Sequence, residues 1–349
     1  MSESLVELDG SEGEGGGQIL RSSLALSVLT GRPFKLINIR ARRSKPGLQP
    51  QHLMCVKAAG AICGANYKGA AVGSSVLYFE PGDVKSGEYS FTIGTAGATA
   101  LVLHTVYLPL ALRGSAPSVV RITGGTHNPH APCHHFNETT WGCYLQKIGI
   151  TIEQEMIRPG FYPRGGGEIR AVIHPCSNVS CLKLTECPEL TTAGGFSAVA
   201  LLPDKIARRQ AERMASRLKR EKIETHIPIE EWEGSLGAGS VAAVIFRQAP
   251  VPTLFFGLGE RGKSSESVAD DAVDEAIRFR EAKAPVDPHS ADQLLLPLIF
   301  SPDASEYRTS QITRHLTTNI DTVRKFVDRE ITIDGDEGEP GTVSIAARV

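Results

Sequence analysis

Gly16–Thr30, GGQILRSSLALSVLT, opens on two glycines and continues as a run of apolar residues that reads as a helix. Downstream, Pro33–Arg42 (PFKLINIRAR) alternates like a strand, and Pro50–Ala65 reads as a second helix. The same order recurs with a glycine-opened apolar helix at Gly97–Arg113, a strand at Ser118–Thr123 and a helix from about Pro132 to Ile148. It comes a third time near the end. There Ala291–Phe300 (ADQLLLPLIF) is apolar, Gln311–His315 is short and extended, Thr318–Asp328 is helical and Glu330–Asp334 is a strand. Three copies of a helix, strand, helix, strand unit predict a pseudo-symmetric α/β core.

Between the second and third copies lies a segment with its own logic. It has a strand at Phe196–Leu202, a helix at Asp204–Lys222 and strands near Glu224–Ile229, Val241–Arg247 and Thr253–Gly257, and it reads as an inserted domain. Its helix gathers Ile206, Ala211, Met214, Ala215 and Leu218 on one face and basic residues elsewhere. A solvated face on an ordinary helix outweighs a nucleic-acid-binding one. Glu260–Ala284 is expected to form a charged helix leading back to the core. The boundaries expected are 1–184 with 277–349 for the large domain and 185–276 for the insert.

With 349 residues, 41% hydrophobic and 22% charged, the chain is an ordinary globular composition with room for about two cores. No stretch approaches the roughly 20 apolar residues of a membrane helix, and the start lacks a basic then apolar leader, so a cytoplasmic protein is expected. The seven cysteines include no C-x-x-C pair, which favours reduced thiols. A formal charge of −2 argues against indiscriminate coating of nucleic acid; any such contact must be a local patch.

The densest chemical signal is Glu12–Arg21, EGEGGGQILR. Glycines let the backbone approach a ligand, and the helix after them presents free N–H groups and a positive end to phosphate. Neither the dinucleotide nor the Walker spacing is present. Glu14 can hold a magnesium ion, and Gln18 and Arg21 follow one and two turns along; a plain capped turn is the competing reading. In NIRARRSKPGLQPQHL, Arg40, Arg42, Arg43 and Lys45 gather at a strand end ahead of Gln51 and His52. Guanidinium groups suit phosphate oxygens. Strand alternation would put Arg40 and Arg42 on one face and Arg43 on the other, so at least one supports structure.

GGTHNPHAPCHHF (Gly124–Phe136) holds four histidines and Cys133, but the spacing fits no closed zinc motif. GFYPRGGGE (Gly160–Glu168) is a glycine-rich loop with an aromatic pair, open to base stacking or to a structural hairpin. In TRHLTTNI, His315 stands just ahead of a helix whose start is marked by Thr317 and Thr318. Local pattern does not raise it above His52, His104 or His289. Neutral imidazole is nonetheless a competent nucleophile toward phosphorus.

Taken in order, EGGGQILR, NIRARRSKPGLQPQHL, GTAGAT, GGT, GFYPRGGGE, ADQLLLP and TRHLTTNI closely resemble the RNA 3'-terminal phosphate cyclase family across nearly the whole chain. The resemblance implies an α/β (α+β) fold: a large domain of three repeated βαβαββ-like units, each like the C-terminal domain of translation initiation factor three, with a smaller α/β domain inserted. It implies ATP and Mg2+ or Mn2+, with an RNA bearing a 3'-terminal phosphate as partner and no membrane; oligomeric state stays open, a homodimer among the alternatives. The implied reaction has three steps. A histidine attacks the α-phosphate of ATP, the adenylyl group passes to the RNA 3'-phosphate, and the 2'-hydroxyl displaces AMP. The nucleophile falls on His315 and the metal-binding carboxylate on Glu14. Gln18, Arg21, Arg43 and Gln51 fall on contacts to phosphates, and His104, Pro132, Phe136, His289, Asp292 and Gln293 on the nucleotide pocket.

This chain departs from the family pattern at His135, where an aspartate is common, at His289, where a tyrosine is common, and at His104, where a glutamine is frequent. Histidine can still stack on adenine. A cyclase-like protein without catalysis, acting in ribosomal RNA processing, is one alternative. An enolpyruvyl-transferase-like enzyme of related repeats is another, and would not explain a histidine nucleophile.

Overall fold

A computed structural model describes residues 4–348. The first unit consists of β1 (Val6–Asp9), α1 (Gln18–Thr30), β2 (Phe34–Ile37), α2 (Pro50–Cys63), β3 (Asn66–Lys68) and β4 (Leu77–Glu80). The second has β5 (Glu88–Thr92), α3 (Thr99–Arg113) and β6 (Ser118–Gly124), then α4 (His134–Phe136), a π turn over Asn137–Trp141 and α5 (Gly142–Lys147), and finally β7 (Ile152–Arg158) and β8 (Gly167–Ile173). The third begins with β9 (Lys183–Leu184). It is interrupted by β10 (Thr192–Ala200), α6 (Asp204–Arg220), β11 (Glu224–Thr225), β12 (Ile229–Glu231), β13 (Gly239–Phe246), β14 (Thr253–Leu258) and α7 (Ser265–Ala282). It resumes with α8 (Pro288–Leu298), β15 (Ser305–Thr309), α9 (Arg314–Phe326), β16 (Ile331–Asp334) and β17 (Gly341–Ile345).

The repetition is visible in the sheets, ordered β1-β2-β4-β3, β5-β6-β8-β7 and β9-β15-β17-β16. In each, the first strand is parallel to the second, and the fourth lies antiparallel between the second and third. A parallel pair needs a crossover, which α1, α3 and α8 provide. Leu24 and Leu26, on opposite sides of α1, are both wholly buried. A helix apolar all round must be enclosed, and α1 packs against α2, α3 and α9. The insert has its own core, in which Met214 and Leu218 of α6 meet Val244 and Phe246 of β13 and Ala272 and Phe279 of α7.

Three local expectations are corrected. The strand after α1 stops at Ile37, because Asn38 and Arg40 take left-handed backbone (φ 51 and 53) and the chain turns; strand alternation therefore does not sort the arginines. Arg40 instead donates to the carbonyls of Lys45 (2.6 Å) and Gly47 (3.0 Å), stapling the turn. His315 lies inside the first turn of α9, not ahead of it, because Thr313 is the cap and its hydroxyl accepts from the Leu316 N–H at 3.2 Å. Finally, the charged helix α7 runs to Ala282, past residue 276, and packs on α6, β13 and β14 as part of the insert. Among the described residues no helix is long and apolar enough to cross a membrane.

Candidate active site

A cleft of 1410 Å³ runs between the repeated units and the insert. Its lining includes Gln18 and Arg21 of α1, His104 of α3, Pro132, Phe136, the α8 residues His289, Asp292 and Gln293, and His315. Sequence positions almost 300 apart thus meet on one wall. Glu14 approaches His315 from the side of Nε2 and pairs with Arg43, and neither Glu14 nor Arg43 lines the cleft. Gln51 is not there either; its side-chain oxygen accepts from the Ala98 N–H at 3.1 Å and fixes the turn before α3.

The glycines of Glu12–Arg21 explain how α1 reaches α9. Gly13 has φ 54, and a Cβ there would strike the side chain of Thr318. The Thr318 hydroxyl accepts from the Glu14 N–H at 3.0 Å, which ties the turn to the helix that carries His315. At Gly17 a Cβ would strike the His52 ring and the Arg21 guanidinium.

Around His315 the hydrogen bonds run in one direction. Asp292 Oδ2 accepts from Gln18 Nε2 at 2.8 Å, and Gln18 Oε1 faces His315 Nδ1 at 2.6 Å. An amide oxygen only accepts, so Nδ1 carries a hydrogen, and in the neutral ring the lone pair is on Nε2. Nε2 lies 3.8 Å from Glu14 Oε2, too far for a hydrogen bond, and the His315 side chain is 54% exposed. Glu14, only 8% exposed, pairs with Arg43. Asn319 closes the frame, accepting from the Ser22 hydroxyl at 2.6 Å and donating to the Asp292 carbonyl at 2.7 Å.

Burial pushes the Asp292 carboxyl up, opposed by His315, Gln18, His289 and Arg21. Burial lowers the Arg21 guanidinium, against the pull of Cys55, Glu14 and Asp292. His104, held at 3.1 Å from Asn137 Oδ1, is pushed by burial to about 4 and stays neutral. At His289 burial works against charge, yet the Glu275 carboxylate at 3.6 Å, with Asp287 and Asp292, draws it up to about 9 although half the side chain is exposed. Its ring stands edge-on to Phe136 at 6.2 Å.

The His-rich stretch lies at the junction of the second unit and the insert. His127 and His135 share a hydrogen bond (3.1 Å) and stack among Phe161, Phe196 and Trp232, joining the second unit to the insert. Among the described residues no three His, Cys, Asp or Glu side chains converge to hold a metal ion. Sequence reading missed Glu275, Asn319 and Thr318, because each acts through a partner hundreds of positions away or on a segment read as surface.

Imidazole, carboxylate and guanidinium groups are carried by separate elements to the wall of one large cleft in an α/β fold. The chain belongs to the RNA 3'-terminal phosphate cyclase family, whose model matches residues 12–333. It is 43% identical over 94% of both chains to an RNA 3'-terminal phosphate cyclase of Pseudomonas fluorescens. Similar proteins of that description occur in Ralstonia nicotianae (42% identical, 95% of this chain and 94% of that one) and in Caldivirga maquilingensis (41%, 94% of both). The family match removes the enolpyruvyl-transferase alternative.

Proposed function

We propose that this chain uses ATP to close the 3'-terminal phosphate of an RNA into a 2',3'-cyclic phosphodiester, with His315 as the nucleophile. The observation that carries this is the oriented chain Asp292–Gln18–His315, which puts a hydrogen on Nδ1 and directs Nε2 toward Glu14, itself paired with Arg43. Nε2 attacks the α-phosphorus of ATP, the bond to pyrophosphate breaks, and the positive charge that develops on the ring is held through Nδ1–H by Gln18 and Asp292. An oxygen of the RNA 3'-phosphate then attacks the adenylyl phosphorus and His315 leaves as neutral imidazole. The 2'-hydroxyl attacks the terminal phosphorus, loses its proton to solvent and expels AMP.

Arg21 and Arg43 offset the charge of the phosphate chain. Mg2+ is commonly held by one or two carboxylates plus substrate phosphates, so the single nearly buried Glu14 fits such an ion where an all-protein cage would not. A bound Mg2+ or Mn2+ would neutralise oxygens of the triphosphate. Glu14 would hold such an ion, and Arg43, now paired with that carboxylate, would then be available to phosphate. Pro132, Phe136, His104 and Gln293 surround the space for adenine, with His289 contributing a cationic ring.

Incubation with α-labelled ATP and magnesium is expected to label the protein through an acid-labile bond, and His315→Ala to abolish the label. An adduct that survives this substitution sinks the assignment. An RNA ending in a 3'-phosphate should in parallel become resistant to phosphatase.

A further inference from the structure

One wall of the cleft has no part in the reaction described above. It is contributed by the insert, with Leu202, Arg261, Lys263 and Arg278, together with Tyr162 and Pro163 of the loop between β7 and β8. A volume of 1410 Å³ exceeds the roughly 300–1,000 Å³ usual for a site that takes one small molecule. There is room for a second substrate beside the nucleotide.

Along the seam between α6 and α7 the insert's charges are paired: Arg209 with Glu266, Arg213 with Asp270, and Arg217 with Asp270 and Asp274. Lys263 pairs with Asp271, and Glu275 with His289. Arg261 and Arg278 are exposed and have no ion-pair partner among the described residues; Glu260 is the unpaired acid beside Arg261. Tyr162 is 65% exposed, against 3% for its neighbour Phe161. Phe161 is clamped between His127 (centroids 5.2 Å apart) and Trp232 (6.2 Å), so the loop that carries the Tyr162 ring has a fixed base.

We propose that Tyr162, Arg261 and Arg278 form the track for the single-stranded 3'-terminal segment of the RNA. The ring stacks on a base and the two guanidinium groups take backbone phosphates, leading the end toward His315. Exposed aromatic rings beside unpaired cations are the elements of single-strand binding, and a stacking ring needs an unpaired base face. The proposal rests on the function above, and it can fail separately, because self-adenylylation needs ATP alone.

The test uses the full chain and a fluorescent single-stranded RNA of eight nucleotides ending in a 3'-phosphate. Arg261→Gln with Arg278→Gln should weaken binding and flatten the dependence of log K on log salt by about 1.4, two phosphates at roughly 0.7 each. Tyr162→Ala should weaken it about tenfold, at the low end for loss of one stacked base, and Tyr162→Phe should restore it. ATP-dependent labelling of His315 should stay within about twofold of the unaltered protein throughout. Unchanged RNA affinity and salt slope in the arginine pair, or no effect of Tyr162→Ala, overturns the track. Absence of any adenylyl adduct in the unaltered protein overturns the function and leaves the binding measurement to decide the track.

Discussion

At the scale of single residues, the proposed chemistry depends on which nitrogen of His315 carries the hydrogen. Gln18 is buried with both its amide nitrogen and its amide oxygen hydrogen-bonded, which suits it to positioning His315. Gln18→Leu removes the acceptor for Nδ1–H, so the ring can rotate and place its hydrogen on the attacking atom. Single-turnover adenylylation should fall about 10- to 100-fold, equivalent to roughly 1.4–2.7 kcal/mol, with ATP affinity changing much less. A loss confined to ATP affinity would return Gln18 to substrate binding. His315 itself was legible only through the ordered set of motifs. Its local sequence, Thr-Arg-His-Leu-Thr-Thr, offers caps on both sides; Thr313 takes the cap, and the Thr318 hydroxyl accepts from the Glu14 N–H from the other end of the chain.

At the scale of elements, the two glycine-opened helices, α1 and α3, were legible because their apolar runs and flexible starts are local properties. The arginine loop was not. Its path depends on two non-glycine residues with positive φ and on the Arg40 staple, none of which periodicity records. The α1 entry illustrates why glycine stands where it does. Gly17→Ala puts a methyl group against the His52 ring and the Arg21 guanidinium without any need for positive φ, so the cost is one of crowding. It should lower stability by about 1–3 kcal/mol in urea unfolding. Because the displaced group is Arg21 in the cleft wall, adenylylation should fall further than the lost folded fraction explains. Equal losses would make the crowding purely structural. The packing of α7 on α6 was not legible for a related reason: its carboxylates look solvated in sequence, and they are matched by α6 arginines that the sequence also assigned to solvent.

For the molecule as a whole, the departures at His104 and His135 add to an unusual store of buried neutral imidazoles. Burial first, helped by neighbouring cations or rings, pushes His52 and His134 to about 3 and His104 and His135 to about 4, and holds His127 well below the ordinary value. In the unfolded chain each titrates near 6.5. Between about pH 6.5 and 4 the unfolded state therefore binds protons that the folded state refuses, and stability falls as pH falls. Each such ring contributes a slope approaching about 1.4 kcal/mol per pH unit. His289 acts oppositely: its value is raised to about 9, so its contribution is complete below 6.5 and is lost as pH rises through 9. Together they put the histidine-dependent maximum near neutrality. The His127–His135 pair sits where Trp232 and Phe196 of the insert dock on the second unit, so the acid limb should loosen that junction early. Urea midpoints measured from pH 7.5 to 5 should drop steeply in the unaltered protein. The drop should be shallower in His104→Gln with His135→Gln, which keeps polar side chains at both positions but removes two titrating rings. A midpoint that does not move with pH, or an acid limb equally steep in the double variant, would show that these rings are not held neutral by the fold.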